Sequence, residues 1–211
     1  MKEYKLPIGC DVPETIILAD GDFLSHPLAL EWLRQCPYVV CCDGAANTYI
    51  RSGRMPEAIV GDGDSLLPDI KERYASLIHS EAEQETNDLS KAFRFCLSQE
   101  RKRITIMGAT GKREDHTIGN VSLLADYMEQ AEVSMMTDYG IFVPIREDSM
   151  FESYIGQQIS VFNMNSTALS AEGLAYPLSV FTNWWQGTLN EALARHFIIR
   201  TEGKVLVFRV F

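Results

Sequence analysis

No apolar run in this chain of 211 residues reaches the roughly 18 needed to cross a bilayer as a helix, which excludes a helical membrane protein. Its 5 cysteines form no Cys-x-x-Cys pair, and none of its 4 histidines stands at finger spacing, so no structural zinc site is expected. Cys10, Cys36, Cys41, Cys42 and Cys96 read instead as small hydrophobes in a reducing compartment. A Gly-x-Ser-x-Gly elbow is missing, as is any Cys/His pairing for covalent catalysis. So are the GxxxxGK[ST] and GxGxxG phosphate signatures. Positive charge is short, with 19 Lys and Arg against 29 Asp and Glu. The net charge of −10 argues against a nucleic-acid surface and tolerates a cationic small molecule or a metal-chelated anion. Residues 1–14, MKEYKLPIGCDVPE, carry no apolar core of signal-peptide length, so the expected location is the cytoplasm.

What is present is an ordinary globular composition, 46% hydrophobic and 23% charged. Continuous apolar runs at 15–20, 38–44, 58–65, 103–109 and 133–138, with a weaker one at 77–83, suit strands buried on both faces. Helical periodicity falls between them. In NDLSKAFRFCLSQ, Leu89, Ala92, Phe93, Cys96 and Leu97 share a stripe, and Thr86 or Asn87 is placed to cap its start. A second helix is expected over about 116–130, with Ile118, Val121, Ala125 and Met128 on one stripe. This alternation predicts an α/β domain over 1–145 with a mainly parallel sheet. After about residue 145 short strand-like pieces dominate, so 146–211 is expected to be a separate β domain. Its last two strands flank Thr201-Glu202-Gly203 and read as a hairpin apolar on both faces, suited to a β-sandwich or a subunit interface.

The acids fall where the strands stop. Asp20 ends the first, Asp43 the second, and Asp62 and Asp64 the third, while Asp115 follows the loop after the strand at 103–109. Any one of them alone is a good turn residue. Together they line one edge, and that edge is where open α/β sheets bind ligands. Like charges this close need a cation between them. Carboxylates without His or Cys partners suit Mg²⁺, which shares phosphate oxygens with one or two of them. Asp62 and Asp64 are therefore expected to hold Mg²⁺. GATGKREDHTIGN, 108–120, is a glycine-rich turn in which Gly108 and Gly111 let backbone N–H groups approach an anion at a helix start. Lys112 and Arg113 add positive charge there. Asp88 and Lys91 lie three apart on one helix face, offering one metal ligand and one phosphate contact. His116 sits inside the glycine-rich stretch and is read as functional, whereas His26, His79 and His196 are read as structural.

The stretches CDGAAN (42–47), GDGDS (61–65), EQETNDLSKA (83–92) and GATGKREDHTIGN (108–120) resemble, in order and spacing, the N-terminal motifs of the thiamine pyrophosphokinase family. EGLAYPL (172–178), GTLNE (187–191) and EGKVLVF (202–208) resemble that family's thiamine-binding domain. The resemblance implies transfer of a diphosphate from ATP to the hydroxyl of thiamine, giving thiamine diphosphate and AMP. It implies a C-terminal β-sandwich for thiamine binding and dimerisation, and a homodimer whose active sites are shared between subunits. Asp62, Asp64 and Asp88 then become the Mg²⁺ ligands and, with Asp115, the catalytic acids. Asp43, Gly44, Lys91, Gly108, Gly111, Lys112, Arg113 and His116 fall to ATP and its phosphates. Gln84, Thr188 and Asn190 fall to thiamine. Asp115 or Asp88 accepts the hydroxyl proton.

The chain departs from the family pattern at three points. Asn87 stands where the family has Thr, Lys112 where it has Gly, and Leu189 where it has Ser, with Thr188 a substitute hydroxyl. Trp185 and Phe208 are candidates for the aromatic contact with thiamine. Two rival readings stand beside this one. A DxD-type transferase acting on a metal-bound nucleotide sugar accounts for 61–65 but not for the later motifs. A nucleotide-binding regulatory module needs the glycine-rich loop but not the converging acids.

Overall fold

The computed structural model describes residues 1–7, 12–81 and 85–211. A short strand β1 (Lys2–Tyr4) precedes an alternating series. The series runs β2 (Thr15–Leu18), α1 (Pro27–Gln35), β3 (Val39–Cys42), α2 (Ala45–Arg51), β4 (Ala58–Gly61), α3 (Pro68–Arg73), β5 (Ile78–Ser80), α4 (Asp88–Ser98), β6 (Arg103–Met107), α5 (Glu114–Tyr127) and β7 (Glu132–Met136). Strands follow: β8 (Gly140–Ile145), β9 (Ser149–Glu152), β10 (Gln158–Asn163), β11 (Leu169–Glu172), β12 (Asn190–Glu191), β13 (His196–Thr201) and β14 (Val205–Val210). One 3₁₀ turn, Trp184–Gly187, interrupts them. Among the described residues no helix is long and apolar enough to cross a membrane.

A single large sheet has the order β12-β10-β14-β8-β7-β6-β2-β3-β4-β5. From β7 to β5 every neighbouring pair is parallel, and from β7 to β12 every pair is antiparallel. The parallel strands β2, β3 and β4 are fully buried, which is why they read as unbroken apolar runs. Helices α1, α2 and α3 pack on one face of the sheet, α4 and α5 on the other. The chain winds outward from β2 to β5 and returns to β6 on the far side of β2. The loops after β2 and β6 therefore diverge at a switch point, where such sheets bind ligands.

The helix α4 buries Leu89, Ala92, Phe93 and Cys96 as its periodicity predicts. Its cap is Asn87, whose side chain accepts from Ser90 N at 2.9 Å. Helix α5 corrects the expected stripe. Ile118 is exposed, and the buried seam runs through Leu124 and Tyr127, with Val121 and Met128 at its margin. Tyr127 stacks on Phe93 at 3.9 Å and shares a 2.8 Å hydrogen bond with Ser90, and these contacts set the rotation of α5 against α4.

The expected terminal hairpin does not form. Strand β13 joins a second, four-stranded sheet of order β1-β9-β13-β11, while β14 lies in the large sheet between β10 and β8. The turn at 202–204 therefore carries the chain from one layer of a sandwich to the other. Phe197 and Ile199 of β13 face Val205 and Val207 of β14 in one core, while Leu206 of β14 points to the opposite face with α4 and α5. Both apolar faces are thus covered within the chain. Hydrogen bonding also crosses the 145/146 division, because β1 pairs with β9 and β8 pairs with β14.

Candidate active site

Strands β3 and β4 deliver Asp43 and Asp62 to the same edge. Asp43 is only 3% exposed and takes a positive φ of 23°, which a non-glycine residue rarely adopts. Its Oδ2 accepts from Ser65 N at 3.0 Å. Its Oδ1 is buried and meets no hydrogen-bond donor among the described residues. Burial raises the Asp43 pKa above the ordinary carboxylate value; the Ser65 N–H opposes this, and the charges of Asp88 and Asp62 add to it. Asp62 is exposed and behaves oppositely. Its Oδ1 accepts from Asp64 N at 3.1 Å, and that bond, with the approach of the Asp43 carboxyl and the charge of Lys91, holds its pKa low. Asp64 is exposed beside it.

Asp88 opens α4 and accepts from the buried Lys91 Nζ at 3.0 Å, the i,i+3 pair expected on that face. Lys91 is thus paired with Asp88 and its charge reaches Asp62, while Asp43 feels the charges of both acids. Among the described residues no three acids, cysteines or histidines form a ready-made metal cage. The donor set nonetheless fits Mg²⁺. Asp62, Asp64 and Asp88 offer only oxygen, the first two exposed to solvent, and Mg²⁺ commonly uses one or two carboxylates plus water and phosphate.

The loops after β2 and β6 are hydrogen-bonded to each other, Gly21 N to Gly108 O at 2.6 Å and Asp22 N to Thr110 O at 2.8 Å. Gly111 has φ of +104°, and a side chain there would run into the Asp22 carboxylate. At Gly44, beside the start of α2, a Cβ would sit 2.6 Å from Asp20 Oδ2, so a side chain there would push Asp20 aside. Lys112 Nζ reaches Asp20 Oδ1 at 3.1 Å across the two loops. A cavity of about 170 Å³ is lined by Asp20, Asp22, Phe23, Ala45 and Lys112 among others.

Arg113 grips Asp115 in a fork, Nε to Oδ1 at 3.0 Å and Nη2 to Oδ2 at 2.6 Å. That guanidinium draws the Asp115 pKa down to about 2, aided by the His116 N–H. Both residues and His116 are exposed. The charges that act most on Asp115 are those of Arg113 and His116, and those that act most on Asp43 are Asp88 and Asp62.

Three residues that the sequence reading did not single out hold this edge together. Asn47 bridges Ser65 O at 2.8 Å and Leu67 N at 3.0 Å. Lys71 donates to Gly63 O at 2.8 Å. Asn120 donates to Ala109 O at 2.9 Å and accepts from Asn87 at 3.1 Å, tying the glycine-rich loop to the α4 cap. The two asparagines close the motifs CDGAAN and GATGKREDHTIGN, which was the available signal. Lys71 left none, since a lysine on a short helix is ordinarily solvated.

In the antiparallel half, Asn190 is buried with its amide spent on the backbone of Tyr176: Oδ1 accepts from Tyr176 N at 3.0 Å and Nδ2 donates to Tyr176 O at 2.8 Å. Thr188 Oγ1 donates to Trp185 O at 2.7 Å. Leu189 is exposed at φ of +60°, an unusual setting for a branched side chain. Trp185 is 73% exposed and Phe208 half-buried against Phe142. Gln84 lies outside the described residues.

A family model described as thiamin pyrophosphokinase, catalytic domain, matches residues 29–136, and one described as thiamin pyrophosphokinase, substrate-binding domain, matches residues 140–208. Among curated proteins, thiamine pyrophosphokinase 1 of Oryza sativa subsp. japonica is 30% identical over 129 residues, 49% of each chain. Thiamine pyrophosphokinase of Bacillus subtilis (strain 168) is 34% identical over 86 residues, 39% of this chain and 40% of that one. The match spans about half the length of the first of these or less. Among solved structures, thiamin pyrophosphokinase from Candida albicans superposes with a TM-score of 0.81 at 18% identity, covering 100% of this chain and 93% of that one. That of Bacillus subtilis gives 0.78 at 21% identity, covering 93% and 98%. At these identities the superpositions establish the fold.

Proposed function

The chain belongs to the thiamin pyrophosphokinase family, and from that premise we propose that it transfers a diphosphate group from ATP to the hydroxyl of thiamine, releasing AMP. The observation that carries the reading is the clustering of Asp43, Asp62 and Asp88, with Lys91 paired to Asp88, beside a glycine-rich loop at the switch point of the sheet. Residues 1–145 would hold ATP and residues 146–211 thiamine. Asp62, Asp64 and Asp88 would hold Mg²⁺, which when bound neutralises and orients the β- and γ-phosphates. The chain's own part is positioning and charge. Gly108 and Gly111 let the loop backbone close on phosphate, and Lys91, Lys112 and Arg113 supply positive charge to it. Lys112 does so by leaving Asp20. Asp88 or Asp115 would take the hydroxyl proton, with Lys91 on one Asp88 oxygen and Arg113 on both Asp115 oxygens. Asn190 would shape the thiamine side through Tyr176 rather than by direct contact. The acidic edge suits a substrate whose thiazolium ring is permanently cationic.

Two copies would pair with their sites shared. The support is no longer the terminal strands, which are covered, but the exposed Tyr176, Val180, Trp184, Trp185 and Leu189, an apolar surface of the kind that marks an interface. Sedimentation should give twice the mass of one chain, and Trp185→Lys should reduce it. A cytoplasmic setting fits a reaction that consumes ATP.

Incubation with ATP, Mg²⁺ and thiamine should yield AMP and thiamine diphosphate in equal amounts. Release of ADP, or AMP without thiamine diphosphate, would overturn the assignment. A nucleoside diphosphate formed only from a nucleotide sugar would favour the DxD reading.

A further inference from the structure

At the other end of the parallel strands lies a cavity of about 790 Å³ that the proposed reaction does not use. It opens between α1 and β1, beneath the first residues of β6 and β7. The two coverings of the large sheet, helices on one half and the small sheet on the other, meet here and leave a gap. Pockets for small molecules occur preferentially at such junctions, at roughly 300–1,000 Å³. Part of the wall is apolar, from Tyr4, Ile141, Val143 and Ile145.

Two buried donors line it. Trp32 is 4% exposed, and its indole N–H has no acceptor among the described residues. Arg209 is 3% exposed; its terminal nitrogens donate to Glu152 O at 2.9 Å and Lys5 O at 3.0 Å, and its Nε–H has no acceptor. No carboxylate pairs with this guanidinium among the described residues; it rests instead over the Phe151 ring at 5.1 Å. Burying a cation without a direct ion pair is costly, and burial draws the Arg209 pKa down to about 10, against the opposing charge of Glu152. Among the described residues six basic side chains and four acidic ones line the cavity, with Lys2 paired to Glu132, Arg103 to Glu14 and Arg146 to Glu129, so that Arg209 is the buried cation of the lining.

We infer that this cavity binds a small organic anion, a carboxylate, phosphate or sulfonate with an apolar body, whose charged group accepts from Arg209 and Trp32 while its body lies against Tyr4, Ile141 and Val143. The site is separate from the strand-end acids, since the two flank opposite ends of β6.

The test uses the full chain carrying Trp184→Phe and Trp185→Phe, so that Trp32 is the remaining indole among 3. The probe is 8-anilinonaphthalene-1-sulfonate. Saturable binding of one probe per chain should quench Trp32 emission as probe emission rises. The uncharged N-phenyl-1-naphthylamine should bind at least tenfold more weakly. Arg209→Met should weaken the sulfonate at least tenfold. Because that change also removes two backbone contacts, Ser134→Leu, which fills the cavity from β7, gives an independent arm with the same expected loss and a melting temperature within a few degrees of the parent. Saturating ATP, Mg²⁺ and thiamine should not displace the probe. Displacement by those substrates, equal binding of the uncharged analogue, or unchanged affinity in folded Ser134→Leu would each overturn the proposal. None of these outcomes bears on whether the chain makes thiamine diphosphate.

Discussion

Asp43 and Asn190 are both buried polar side chains at strand ends, and they are buried in opposite ways. Asn190 has each amide atom matched to the backbone of Tyr176. Asp43 keeps one oxygen without a donor and shares its surroundings with two further acids. The contrast extends to the regions around them. The parallel edge carries charge that its own residues do not balance, whereas the surroundings of Asn190 satisfy that side chain and leave apolar side chains in solvent. An unbalanced polar group costs stability in the free protein, so it marks where something else is to bind. A satisfied one marks scaffold.

The contrast breaks most visibly if the strand-end acids prove dispensable. Asp62→Asn and Asp64→Asn should each leave the fold intact, since both side chains are exposed. Each should lower the rate of AMP release by about a hundredfold or more, the scale of losing a charge-stabilising contact. Turnover within a few fold of the parent, at ordinary Mg²⁺, would refute the metal reading. Next in size is Gly111→Val. Valine disfavours φ of +104° and meets Asp22, so the KM for ATP should rise about tenfold or more while that for thiamine changes little. Equal changes in both would signal misfolding.

Asn190→Ala sharpens the other side. It removes two hydrogen bonds to the Tyr176 backbone and one from Glu191 N, each worth about 0.5–1.5 kcal/mol. Thermal melting should register it, with the KM for thiamine raised and that for ATP unchanged. A variant as stable as the parent would show that Asn190 is not scaffold. The smallest effect belongs to Arg113→Gln. The folded pKa of Asp115 lies below its unfolded value, so its contribution to stability is present above the ordinary carboxylate range and is lost as pH falls through about 2. Without the guanidinium, a carboxyl NMR titration should find the Asp115 pKa back near its ordinary value. Melting at neutral pH should barely move, because the pair is exposed.

The parallel half was legible because its information is local. A strand buried on both faces shows as an apolar run, its acid follows directly, and the helix that comes next declares its periodicity. Asp62, Asp64, Asp88 and Lys91 could be placed from a few neighbours each. The rotation of α5 could not, because its first turns face solvent and Tyr127 is fixed by Phe93 and Ser90 of another helix. The Asp20–Lys112 contact was hidden because it spans two loops that only the sheet brings together. The hairpin at 201–203 failed for a related reason. Two apolar strands and a glycine turn look alike whether they pair with each other or cross a sandwich, and what decides is β9 and β8, far back in the chain.

The pairing of β1 with β9 has a consequence in time. Lys2 lies in register with Ser149 and its N–H donates to Asp148 O at 3.2 Å, and Tyr4 stacks on Phe151 at 4.8 Å. Synthesis at roughly 5–20 residues per second separates the appearance of these partners by on the order of ten seconds. Closing so long a loop costs only slightly more entropy than closing a short one, because the cost grows with the logarithm of length. The delay is therefore kinetic. A nascent chain can assemble β2 to β7, with the strand-end acids in place, while its first strand still waits for a partner. On ribosomes stalled before residue 149, protease should cut near Tyr4 while sparing β2, and the cut should disappear once β9 has emerged.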